Sequence, residues 1–174
     1  EGGTLVATES SALFLTKDRS GLTGVERTEA QKPDKDDETT EPDPSVYTTY
    51  AAREDSSGLE RIPGSALRAQ LDTTHPLAFG LRDHLYSLKF ITEALEPSDN
   101  VQTVGYYDKD ASTLLAAGYA SQENLRKLAG KAFAAVQPMG QGNVVFLVDN
   151  TQYRMFWIGP ARLMQNAVML MPGM

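Results

Sequence analysis

Any chemistry in this chain must be built from a short supply of reactive side chains. It has two histidines, His75 and His84, and no cysteine. Thiol nucleophiles, thiolate zinc sites, iron–sulfur clusters and disulfides are therefore excluded. A zinc peptidase site of the H-x-x-E kind needs an acid three residues after a histidine, then a distant histidine and a glutamate base. The residues at those places are Ala78 and Ser87, so neither histidine qualifies. What remains is a serine nucleophile with a histidine base: Ser10 or Ser11 attacking, His75 taking the proton. These serines follow Glu9 and the apolar stretch Leu5-Val6-Ala7, without the glycines of the G-x-S-x-G turn. Both groups also have a plain structural reading. Ser10-Ser11 suits a helix N-cap, and Asp72-Thr73-Thr74-His75-Pro76 suits a polar turn.

Two other clusters invite a ligand. Asp34, Asp36 and Glu38 alternate as in a calcium loop. The turn glycine of such a loop is missing, and Ser45 stands where its twelfth-position glutamate belongs. A solvated loop is the better reading of this charge block. The aromatic residues Tyr153, Phe156 and Trp157 surround Arg154. They could line a peptide- or sugar-binding groove, or close the space between a strand and a helix. Arg154 could hold a carboxylate, structural or on a ligand. The binding candidates are thus Tyr153, Arg154 and Trp157, with no metal ligands and no cofactor in this chain.

The elements that must position these residues come from the wider pattern. With 174 residues, 41% of them hydrophobic, the chain suits one domain over 1–174. Its net charge of −7 argues against nucleic acid and against a polybasic membrane anchor. Much of that charge is local: residues 29–44 hold seven acidic and two basic side chains, for −5. With three prolines and one alanine there, 29–60 reads as an acidic flexible excursion. The rest alternates strand and helix. Leu5-Val6-Ala7 predicts a short buried strand, and a helix through Lys17 follows with Leu13 and Phe14 inward. Ala66–Leu71, Leu85–Phe90, Val101–Tyr106 and Leu114–Tyr119 are strand candidates. Ser121 caps a helix over Gln122–Leu128 that Gly130 stops. Asn143–Asp149 is a continuous apolar run, the mark of a strand buried on both faces. Pro160 then opens a helix that ends at Pro172-Gly173, with Leu163, Met164, Ala167, Val168, Leu170 and Met171 as its apolar face. The fold class is α/β.

Three segments carry a family resemblance. Gly140–Leu170, with Tyr153-Arg154, Leu163 and Asn166-Ala167, resembles the closing strand and helix of class I glutamine amidotransferase-like domains. The opening GGTLVATESSA looks like the strand and elbow where active members of that family place a cysteine. Ile62–Leu81, with its D-x-x-H-P-L-x-x-G pattern, resembles a narrower group. Those domains lie C-terminal to the catalytic domain of bacterial zinc carboxypeptidases of the carboxypeptidase A type. The resemblance implies a flavodoxin-like layered sheet with flanking helices, here lacking its first strand–helix units. It implies a non-catalytic accessory domain of a zinc metallocarboxypeptidase acting in proteolysis, periplasmic or secreted. Zinc would belong to the upstream catalytic domain, which would also be the partner. An exposed sheet edge would allow self-association. At the elbow the chain offers Glu9, Ser10 and Ser11 instead of cysteine, and Asp149-Asn150-Thr151-Gln152 where the family has His-x-Glu. Glutamine hydrolysis is rejected on those departures. A serine hydrolase using Ser10 or Ser11 with His75, and a free-standing small-ligand module, are the alternatives.

Overall fold

The computed structural model describes residues 2–28, 49, 58–155 and 157–173. Asp34, Asp36, Glu38, Ser45 and Phe156 lie outside them, as does the expected 29–60 excursion apart from 49 and 58–60. The described chain forms one mixed seven-stranded sheet with flanking helices. Its strands are β1 (Thr4–Thr8), β2 (Ser65–Leu71), β3 (His84–Lys89), β4 (Gln102–Tyr107), β5 (Leu115–Ala117), β6 (Ala132–Met139) and β7 (Gly142–Leu147). The helices are α1 (Glu9–Phe14), α2 (Ala111–Leu114), α3 (Gln122–Leu128) and α4 (Ile158–Met169). The strand order is β1-β7-β6-β4-β2-β3, with β5 beside β2.

Among the described residues only β1 and β7 run parallel, and every other strand pairing is antiparallel. Following the pairings across the sheet, β1, β7, β4 and β3 point one way, while β6 and β2 point the other. This sense of direction decides which candidate residues can meet. The carboxyl ends of β1, β7, β4 and β3 share one end of the sheet. The residues after β2, His75 among them, fall at the opposite end.

The apolar run at β7 behaves as its sequence predicts. Val145 and Leu147 enter one core with Leu67, Leu77, Phe133 and Leu163. Val144 and Phe146 enter a second core on the other face with Ala7, Ala12 and Leu95. Next to it lies a strand the sequence reading missed, β6. Its Ala132, Ala134 and Ala135 have weak strand preference, so the segment shows no strand signal. Burial on both faces is what favours small side chains there. Size is equally constrained across the ladder, where a Cβ on Gly105 would lie 2.7 Å from the Phe133 ring.

Several expectations need correction. Leu5-Val6-Ala7 is a strand, but β1 is at the sheet edge, and Leu5 is 52% exposed. The following helix ends at Phe14, whose side chain faces solvent; Ala12 is the buried residue. The expected strand Leu114–Tyr119 shrinks to the three residues of β5. Asp110 caps a helical turn just before it, and Gly118 at φ 92° ends it, where a Cβ would press on Ser65 and Gly64. α3 matches expectation: Ser121 Oγ accepts from the Asn124 N–H at 3.2 Å, and Gly130 adopts φ 75°. α4 starts two residues before Pro160, and its buried stripe is narrower than expected. Leu163, Ala167 and the following Met171 are buried, whereas Val168 is exposed. Asn166 shares the inner face and donates to the carbonyls of Leu77 and Phe79, both at 2.9 Å. No helix among the described residues is long and apolar enough to cross a membrane.

Candidate functional site at the strand–helix elbow

The chain leaves β1 and enters α1 through a single residue. Glu9 takes φ 49°, a left-handed conformation that costs a side-chain-bearing residue of order 1 kcal/mol. Because that one residue makes the whole turn, α1 begins at Glu9 and its N-cap is Thr8, which makes no side-chain cap hydrogen bond. The reading of Ser10-Ser11 as the cap is therefore corrected. Both serines are exposed in the first turn, and neither hydroxyl makes a hydrogen bond among the described residues.

Glu9 and Ser10 open onto a cleft of about 140 Å³, completed by Phe90, Ile91, Val148, Asp149 and Asn150. Strand direction explains this meeting: Phe90 follows β3 and Asp149 follows β7, at the same end of the sheet as the elbow.

Behind the cleft lies a closed polar cluster. Asp149, 3% exposed, accepts from Ser87 Oγ at 2.5 Å, from the Tyr107 hydroxyl at 2.6 Å and from Lys89 Nζ at 3.0 Å. Lys89 also donates to the Glu93 carbonyl and stands 5.1 Å from the centre of the Tyr107 ring. Burial pushes the Tyr107 hydroxyl well above the usual tyrosine pKa, helped by the Asp149 charge and by the hydrogen bond to it. Both Asp149 oxygens are thus engaged by groups with almost no access to water. No histidine among the described residues hydrogen-bonds to this carboxylate, since His75 and His84 bond elsewhere.

The serine alternative fares poorly on geometry. His75 follows β2, at the far end of the sheet from Ser10 and Ser11, with β7, β6 and β4 between their strands. Its ring is already employed: Nδ1 accepts from the Leu77 N–H at 3.0 Å, and Nε2 pairs with Gln102 Oε1 at 3.1 Å. His75 is the cap of the short turn Pro76–Ala78. His84, exposed at the start of β3, pairs with Asp83 at 2.7 Å. Among the described residues no three His, Asp or Glu side chains converge as a metal site would require.

Compared with known proteins, the chain matches no family model, and no curated protein is significantly similar to it. The site must be read from its own geometry.

The binding candidates divide between two places. Tyr153 packs against Phe90 with the rings tilted at 46° and their centres 5.3 Å apart, so it adjoins the elbow cleft. Arg154 lies over the Tyr153 ring at 5.2 Å. Arg154 and Met155 both take positive φ, 49° and 60°, so among the described residues the three such side-chain-bearing positions lie just past β1 or in the loop after β7. Trp157 is elsewhere. Its indole N–H donates to the Tyr86 carbonyl at 2.8 Å, and it lines an apolar groove with Tyr86, Ala117 and Ile158. The residues that sequence reasoning missed are Ser87, Lys89 and Tyr107. One signal was available: Leu85, Ser87 and Lys89 share a face of an alternating strand, which places a lysine on the inner side.

Proposed function

We propose that this chain is a class I glutamine amidotransferase-like domain of flavodoxin-like architecture whose elbow has lost its chemistry. In this reading it serves a bacterial zinc carboxypeptidase as an accessory domain for structure, substrate positioning or partner binding. The observation that carries the proposal is Glu9 at φ 49° between β1 and α1, with β7 parallel beside β1. A strained residue at a sharp strand-to-helix turn is how such folds expose a nucleophile. Here that position holds a carboxylate, and the neighbouring Asp149 is committed to Lys89, Ser87 and Tyr107. A second contact supports the reading. Asn166, in the segment resembling the closing helix, clamps Leu77 and Phe79 in the D-x-x-H-P-L-x-x-G segment.

The test is made on the full polypeptide that carries this chain. Purified protein should release C-terminal residues from peptides, and a zinc chelator should abolish that release. Removing residues 1–174 should alter KM or thermal stability while leaving kcat within about threefold, a change of under 1 kcal/mol in the barrier. Absence of any chelator-sensitive peptidase activity overturns the parentage. A module for a small carboxylate is a second reading, favoured by Arg154, which makes no ion pair among the described residues beside the Phe90–Tyr153 pair. A rise in melting temperature with millimolar carboxylates, absent in Arg154→Ala, would support it.

A further inference from the structure

The two ends of the sheet are finished differently. On β3 the Trp157 indole N–H covers the Tyr86 carbonyl at 2.8 Å, and α4 lies alongside. Covering an edge is a usual defence against adding a foreign strand. β1, at the other end, has no such defence among the described residues. Thr4–Thr8 carries no charge, no proline and no bulge, and Leu5 is exposed.

The ladder with β7 decides which backbone groups of β1 are free. The Asn143 N–H donates to the Gly3 carbonyl at 2.9 Å, with Thr4 opposite Asn143. In that parallel register Gly3, Leu5 and Ala7 turn their backbone groups toward β7. Thr4, Val6 and Thr8 turn theirs outward, and no strand among the described residues pairs with them. Unpaired backbone donors and acceptors along an extended edge are best satisfied by another strand.

We propose that this edge is an interface between two copies of the chain, joined by antiparallel pairing of their β1 strands about a two-fold axis through Val6. The strand reads nearly the same in both directions, Thr-Leu-Val-Ala-Thr. About that axis Val6 faces Val6 of the second copy, and Thr4 faces Thr8 at each end. Those are the residues with outward backbone groups, so every facing pair of them exchanges two hydrogen bonds. Leu5 comes opposite Ala7, a large residue against a small one, and Glu9 comes opposite Gly3, so no like charges meet. A shift by one residue would set outward-facing groups against inward-facing ones and lose the pairing. The contact is isologous, so it closes at two copies and does not grow into a filament. The inference rests on the edge that β1 presents in the 174-residue chain and uses no part of the proposed function; a further strand–helix unit joined upstream would occupy that edge in place of the second copy.

Sedimentation velocity on the 174-residue chain tests it, with a register-specific pair of variants. The unaltered chain should form a dimer that dissociates on dilution. Thr4→Lys/Thr8→Lys places lysine against lysine at both ends of the pairing and should weaken association by about tenfold or more. Thr4→Lys/Thr8→Glu places opposite charges face to face and should keep the dimer. Hydrogen exchange on the unaltered chain provides a second readout that needs no variant. The amides of Thr4, Val6 and Thr8 should become more protected as concentration rises. A chain that stays monomeric at its highest soluble concentration overturns the proposal, as does a dimer untouched by the double lysine change. Protection that ignores concentration overturns it too.

Discussion

Lys89 and Asp149, 60 residues apart in sequence, meet at 3.0 Å with both side chains shut away from solvent. The pair ties the end of β3 to the loop after β7, and that loop forms one wall of the elbow cleft. Its energetics follow from burial. Taking two charges out of water is costly, so the pair is no large source of stability, yet removing one partner strands the other.

Asp149→Ala should therefore destabilise the fold by about 3–5 kcal/mol, because it orphans Lys89 and leaves the Ser87 and Tyr107 hydroxyls without their acceptor. Lys89→Met should cost less, since Asp149 keeps both hydroxyl donors. Urea unfolding gives the ranking. A cost below about 0.5 kcal/mol for Asp149→Ala, the size of an ordinary surface change, would contradict the cluster as described.

Tyr107 predicts a pH dependence whose sign can be worked out. Burial, then the Asp149 charge and hydrogen bond, raise its folded pKa above the 10.0 of a free tyrosine. Above about pH 10 the unfolded chain loses the phenolic proton while the folded chain keeps it, so the unfolded state binds fewer protons. The stability tied to Tyr107 is complete below that pH and is lost as pH climbs toward the folded pKa. Tyr107→Phe should flatten this alkaline decline while lowering stability at pH 7 by about 1 kcal/mol for the lost hydrogen bond. Thermal melts from pH 8 to pH 11 provide the comparison, and identical slopes in the two proteins would count against it.

Glu9 offers a test of backbone strain. Glycine adopts φ 49° without the Cβ penalty, so Glu9→Gly should raise stability by about 0.5–1 kcal/mol. Glu9→Val should lower it, since a β-branched residue tolerates that conformation badly. If both changes lower stability equally, the elbow does not hold Glu9 in the left-handed region.

What could be read from sequence follows from where the signal is local. β7 announces itself because a strand buried on both faces must be apolar throughout, and α3 because its cap and its stop are single residues. β6 stays hidden: its alanines answer to the crowding between two cores, which no neighbouring residue reports. Leu5-Val6-Ala7 running into Ser10-Ser11 reads as strand, tight turn and helix, and the family resemblance is what places an elbow there. The serines do not cap the helix, because a one-residue turn at Glu9 sets them inside the first turn of α1. The distance between His75 and the elbow depends on strand direction, which follows only from the pairing order. The Lys89–Asp149 contact is a long-range pairing, and the sequence offers only an inward lysine and an aspartate closing an apolar run.

Whether the elbow is silent is settled most directly by a hydrolysis assay on the 174-residue chain, with glutamine and an activated ester as substrates. The geometry predicts release no faster than in buffer, and the same rate for Ser10→Ala, Ser11→Ala and His75→Ala. Turnover above buffer that disappears in any one of those variants would contradict it.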